Sequence, residues 1–157
     1  RSAHPQAQLI YKPHPDVEAG LRPGAISPAE IAALGASLTS NADPVALIEA
    51  CDRVVTITSL LGFEALLRGK PVTCLGAPFY AGWGLTDDQG RIPQRRLRAQ
   101  DGHPLPRPDL MQLAHAALIA YPRYYDPRTR RPCPPEVVRA GRRSGRDPPR
   151  GIGLRLP

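Results

Sequence analysis

The stretch from Arg53 to Gly84 constrains the fold more than any other part of the chain. It carries strand, polar turn, helix, strand and glycine-rich loop in immediate succession. Val54, Val55, Thr56, Ile57 and Thr58 form a β-branched run without apolar–polar alternation, the pattern of a strand buried on both faces. Thr58 and Ser59 stand where the next helix must begin. Hydroxyl side chains are favoured there because they accept from backbone N–H groups that lack helical partners. Between Leu60 and Arg68 apolar residues recur at helical spacing (Leu60, Phe63, Leu67; Leu61, Ala65). Gly69 ends the helix, with the Arg68 cation at the negative end of its dipole. Pro71 to Leu75 is a second apolar run. So close a strand–helix–strand succession predicts one parallel, right-handed βαβ unit.

Such a unit has a built-in place for a ligand, beyond the carboxyl ends of its strands. That edge carries Thr58, Ser59 and Gly62 after the first strand, and Gly76, Tyr80, Gly82, Trp83 and Gly84 after the second. A helix N-terminus with two hydroxyls attracts anions through its free N–H groups, and a phosphate is the expected occupant. Ser59 also caps its helix whether or not an anion binds; the two roles are compatible.

At 157 residues the chain is long enough for one domain with a real core. Its only methionine is Met111 and it starts at Arg1, so we expect a fragment or processed piece. It shows neither a membrane-spanning run nor a signal peptide. Cys51, Cys74 and Cys133 are odd in number and scattered, which fits neither a disulfide framework nor a zinc site and suggests a reducing compartment. The net charge of +7 is unevenly placed. Residues 1–121 hold 11 Lys/Arg and 11 Asp/Glu, whereas residues 122–157 hold 10 and 3. A neutral body with a basic tail argues against a nucleic-acid-binding body and for a surface-associating appendage.

Ala7 to Tyr11 reads as a strand leading into Lys12-Pro13-His14-Pro15-Asp16. Prolines at alternate positions force an extended segment, which fixes Lys12, His14 and Asp16 at the strand end as a site for an anionic substrate. His4-Pro5 and His103-Pro104 lack these neighbours. Val17 to Gly24 reads as loop. Ser27-Pro28-Ala29-Glu30 starts a short helix to about Leu34, and Asp43-Pro44 starts another to Cys51. Leu85 to Pro108 is polar and reads as a long loop, in which Asp87-Asp88 suits a solvated turn better than a metal site. Pro108 to Tyr121 is helical, with Leu110, Leu113, Ala114, Ala117, Leu118 and Tyr121 on one face and His115 on the other. The expected organisation is a half-domain over residues 1–140, with a Pro/Tyr/Arg-rich strap at about 121–138 and a short helix beginning near Val137. A basic disordered tail follows over 141–157.

Three segments together resemble a known family: YKPHPDVEAGLRPG, TSLLGFEALLRGKPVTCLGAPFYAGWGLTDD and YPRYYDPRTRRPCPPE, in that order. They are similar to the KpsC-type capsular polysaccharide proteins, β-Kdo glycosyltransferases that use CMP-Kdo, and the similarity spans roughly Ala7 to Val138. The resemblance implies an α/β fold: a Rossmann-like parallel sheet flanked by helices, the C-terminal, donor-binding half of a GT-B glycosyltransferase. It implies that His14-Pro15 contacts the CMP phosphate, that Thr58 and Ser59 lie near that phosphate, and that Glu64 accepts from ribose or cytidine. Lys12, Gly62, Tyr80 and Trp83 join the donor cleft on physical grounds. A helix end, two hydroxyls and the His14 imidazole would stabilise the departing phosphate with no metal expected.

The acidic residues that act at the sugar carbon would belong to an N-terminal half outside this chain, so the chain alone is expected to turn over nothing. The implied partners are that half, a phosphatidylglycerol-type lipid-linked Kdo acceptor and other capsule export proteins, at the cytoplasmic face of the inner membrane. No nucleic acid is expected. Two other classes stay open: a nonenzymatic module whose basic tail binds RNA or anionic lipid, and a transferase using another nucleotide-sugar, such as a UDP donor.

Overall fold

A computed structural model describes residues 2–40 and 42–143, the last three by backbone alone. The tail assigned to residues 141–157 therefore lies almost wholly outside the described residues. Two parallel sheets carry the fold. In the first, β1 (Leu9–Tyr11) pairs with β2 (Ala36–Leu38) in the register Leu9 to Ala36. Between them run a one-turn helix, α1 (Pro15–Glu18), and α2 (Pro28–Ala33). In the second, β3 (Val54–Thr56), β4 (Val72–Cys74) and β5 (Asp87–Asp88) lie side by side in that order, all parallel. Helix α3 (Pro44–Ala50) leads into this sheet, and α4 (Leu60–Leu67) crosses from β3 to β4 and packs against both strands and α3. The α/β class, the parallel sheet and the flanking helices are as the sequence implied.

Local chemistry explains the boundaries. Ser27 caps α2 through a reciprocal pair, its Oγ accepting from Glu30 N at 3.2 Å while the Glu30 carboxylate accepts from Ser27 N at 2.9 Å. Asp43 caps α3 by accepting from Val45 N at 3.1 Å. Ser59 caps α4 by accepting from Leu61 N at 3.2 Å. Gly69 follows the end of α4 at φ +71°, a left-handed conformation that glycine adopts without steric cost. A last pair, α5 (Leu110–His115) and a π-helical turn (Ala116–Ala120), starts at Asp109, which forms a capping box with Gln112. Leu113 and Ala114 face the core while Leu118 and Tyr121 remain exposed. In the segment read as a strap, Tyr125 bridges antiparallel to Pro132, and α6 (Pro135–Arg143) continues the chain.

The core sits in the second sheet. Phe63, Ala65 and Leu66 of α4, Val72 and Cys74 of β4, Tyr80 and Ala81 pack with Ile48, Leu113 and Ala114. Three sequence expectations need correction. β3 is not buried on both faces: Val55 is 52 % exposed and Ile57, just beyond the strand, 64 %. β3 lies at the sheet edge with β4 as its neighbour, whereas β4, flanked on both sides, is buried throughout. The run after Tyr11 is not simply extended and then loop, because Pro15 takes the first position of α1, where its fixed φ suits a helix start. The loop of 85–108 contains β5, a 3-10 turn (Gln94–Arg96) and an antiparallel bridge from Arg98 to Pro104.

Candidate functional site

Both motifs singled out in the sequence lie on the carboxyl side of parallel strands. His14 follows β1 and Ser59 follows β3. They belong to different sheets and do not hydrogen-bond to each other. The His14 ring caps α1: its Nδ1 accepts from Asp16 N at 3.1 Å, with the Asp16 carboxylate 3.6 Å away. Accepting at Nδ1 places the proton on Nε2 and leaves that atom as the ring's donor. The ring is about half exposed. Lys12 reaches Glu18 at 3.3 Å, and Asp16 lies 4.0 Å from Arg22, so the charges of this loop pair largely among themselves. Beside it a cavity of about 380 Å³ opens between Pro13, Val17, Glu18, Ile26, Leu38 and Ser40. It joins the carboxyl ends of β1 and β2 and has the size of a small-ligand pocket. The apolar members of its wall carried no signal in the sequence.

At the second sheet, Ser59 is exposed and is held from several directions. Its N–H donates to Thr56 Oγ1 at 3.2 Å, its Oγ caps Leu61, and its carbonyl accepts from the Tyr80 phenol. Thr58 is exposed beside it, with its methyl against Gly76. Gly62 is buried in the first turn of α4, where a Cβ would run into the Tyr80 hydroxyl and lie 2.8 Å from Tyr80 Cζ and 3.0 Å from Thr56 Cγ2. This glycine is demanded by packing beneath the edge. Glu64 is half exposed and pairs with Arg68 at 2.6 Å.

Tyr80 is 0 % exposed, in an aromatic cluster with Phe63 and Phe79. It therefore lies under the site's floor and reaches the edge only through Ser59. Burial pushes its phenol well above the ordinary tyrosine range, so it remains a donor. Trp83 is half-buried against the core and donates from Nε1 to the Phe79 carbonyl at 2.8 Å.

Arg96 and Asp88 also hold this loop. The Arg96 guanidinium donates to the carbonyls of Ala77, Pro78 and Ala81, and Asp88 accepts from Gly82 N at 2.8 Å. Arg96 sits in an arginine-rich polar stretch that gave no local hint of this contact. Asp87 accepts from Thr73 Oγ1 at 3.2 Å and Asp88 from Thr86 Oγ1 at 2.6 Å. Among the described residues, no group of three or more His, Cys, Asp or Glu is placed to hold a metal ion.

Residues 1–124 match the family described as capsule polysaccharide biosynthesis protein. The chain belongs to that family. It is 47 % identical over 129 residues to the capsule polysaccharide modification protein LipA of Neisseria meningitidis, a match covering 82 % of this chain and 17 % of LipA. It is 47 % identical over 121 residues to the lipopolysaccharide-processing protein LpsZ of Rhizobium meliloti, covering 77 % of this chain and 26 % of LpsZ. The chain thus spans about a quarter or less of these relatives.

Among solved structures, it resembles two Thermosulfurimonas dismutans KpsC chains. The β Kdo 2,4 transferase matches with TM-score 0.68 and 35 % identity, over 87 % of this chain and 40 % of that one. The β Kdo 2,7 transferase matches with TM-score 0.72 and 33 % identity, over 94 % and 44 %. This capsule polysaccharide biosynthesis chain therefore shares the fold of KpsC Kdo transferases across nearly its whole length.

Proposed function

We propose that this chain is the donor-binding part of a retaining β-Kdo glycosyltransferase of GT-B architecture, taking Kdo from CMP-Kdo to build the oligo-Kdo linker of a capsular polysaccharide. The observation that carries this reading is the likeness to two Kdo transferases over most of the chain at 33–35 % identity. The local geometry is consistent with it. When the bond from Kdo to CMP breaks, negative charge develops on the departing phosphate. The capped N-terminus of α4, the Thr58 and Ser59 hydroxyls and the Nε2–H of His14 are donors suited to that charge. The cavity lined by Pro13, Val17 and Leu38 offers room for the nucleoside. In this reading a second GT-B half supplies the carboxylates at the sugar carbon, the acceptor is a phosphatidylglycerol-type lipid bearing Kdo, and the complex works at the cytoplasmic face of the inner membrane beside the capsule export proteins. Bond cleavage is assigned no metal.

Titration calorimetry with CMP, UMP and a short RNA tests the reading. CMP should bind in preference to UMP, and His14→Ala and Ser59→Ala should each weaken it about tenfold, the loss of one hydrogen bond to a charged group. A preference for UMP points to another nucleotide-sugar. RNA binding that survives both substitutions contradicts the transferase reading.

A further inference from the structure

Four backbone carbonyls of the loop between β4 and β5 are held by two side chains. Arg96 takes those of Ala77, Pro78 and Ala81, and Trp83 takes that of Phe79. Asp88 fixes the same loop through Gly82 N. Gly82 itself, at φ +88°, has no room for a side chain, because a Cβ would lie 2.6 Å from Ile92 Cγ2. The loop is thus clamped from the 3-10 turn and from β5. Its buried centre is Tyr80, whose phenol donates to the carbonyl of Ser59. Ser59 lies beyond the end of β3 and caps α4, and Gly62 leaves the opening through which the phenol reaches it.

We propose that Tyr80 is a positioning residue for the donor phosphate: through the Ser59 carbonyl it fixes the turn that aims the Ser59 hydroxyl and the first N–H groups of α4, while Arg96 immobilises the loop carrying it. This rests on the donor reading above. The physical need is clear. Ser59 is exposed and follows an edge strand. Backbone bonds from Leu75 and Gly76 hold the chain as far as the Ile57 carbonyl, while at Ser59 itself the bonds to Thr56, Leu61 and Gly62 stay within its own segment. The phenol carries that anchoring two residues further, from Ile57 to Ser59, and ties the turn to the core. Preorganised donors stabilise a departing anion better than donors that must reorient. The role also explains a glycine in the first turn of α4, where an alanine would otherwise favour the helix.

The test is CMP titrated into wild type, Tyr80→Phe, Arg96→Lys and a core control, Ile48→Val, followed by calorimetry and by the phosphorus resonance of bound CMP. Tyr80→Phe keeps the ring and removes only the donor. It should weaken CMP about tenfold and move the bound phosphorus resonance, and Arg96→Lys should move it in the same direction by less. Ile48→Val should lower thermal stability while leaving affinity and resonance at wild-type values. In the Ser59→Ala background, Tyr80→Phe should cost clearly less than it does alone. Wild-type affinity and an unmoved resonance in Tyr80→Phe overturn the positioning role while leaving the donor reading intact. Absence of CMP binding in the wild type overturns the donor reading and this proposal with it.

Discussion

The two sheets differ sharply in how they are supported. The β3–β4–β5 sheet stands on a continuous core of Phe63, Leu66, Val72, Tyr80 and Leu113, with Ile48 from the preceding helix. The β1–β2 sheet has no comparable core. Up to Ser40, Ile31 is the single buried hydrophobic residue among those described, while Ile10, Leu21, Ile26, Leu34 and Leu38 are exposed. Stability follows buried apolar area, so the second sheet should be rigid and the first readily opened. Ser59 is anchored to the rigid part through Tyr80, and His14 sits on the soft part, capping one turn of helix. In the donor reading proposed above, the anion donors would thus be split between a fixed wall and a yielding one.

Matched core truncations should separate the two regions with the largest effect. Phe63→Ala should cost about 3–5 kcal/mol and remove amide-exchange protection throughout the molecule. Ile31→Ala should fall nearer the lower end of about 2–5 kcal/mol, with protection lost in β1 and β2 and retained in β4. Uniform loss in both variants would mean that the sheets share one cooperative unit.

Gly62→Ala sharpens the comparison from the rigid side. Alanine in place of a helical glycine ordinarily gains about 1 kcal/mol. Here the new methyl runs into the Tyr80 hydroxyl and lies 2.8 Å from Tyr80 Cζ and 3.0 Å from Thr56 Cγ2, so thermal unfolding should show a net loss of about 1–3 kcal/mol. A gain would mean that Tyr80 is free to move aside.

A smaller effect probes the soft side. Ser27→Ala should cost about 1 kcal/mol by removing the α2 cap. In the wild type, hydrogen bonds from the Ser27 side chain and then its N–H hold the Glu30 carboxyl below its ordinary value of 4.5. A depressed folded-state pKa stabilises the protein above that ordinary value, and the contribution disappears as pH falls through the lower folded-state value. Acid unfolding curves of wild type and Glu30→Gln should therefore differ near neutrality and converge below that point.

What could be read from the sequence follows the same physical division. The caps at Ser27, Asp43 and Ser59, the stop at Gly69 and the parallel β3–β4 pairing depend on groups close together in the chain, and each is where its residues implied. β2 was missed because Ala36-Ser37-Leu38 carries no apolar run. The exposure of Val55 and Ile57 depends on which strands flank β3, and a strand's own composition does not encode its place in a sheet. Tyr80, read as part of the donor cleft in a glycine-rich loop, is fully buried beneath it. Its burial comes from Phe63 and Gly62, some twenty residues earlier, and Arg96, later in the chain, holds the loop that carries it. Of the candidate site, the positions of Ser59 and His14 beyond strand ends were legible from their neighbours, whereas the scaffold behind them was not.

The account turns on whether the fixed wall and the yielding wall serve one ligand. Adding CMP to isotopically labelled protein, and following the His14 ring together with the Ser59 and Leu61 amides, measures this directly. The account predicts that all three resonances move with a single dissociation constant. Movement confined to one sheet, or different constants at the two, would contradict it.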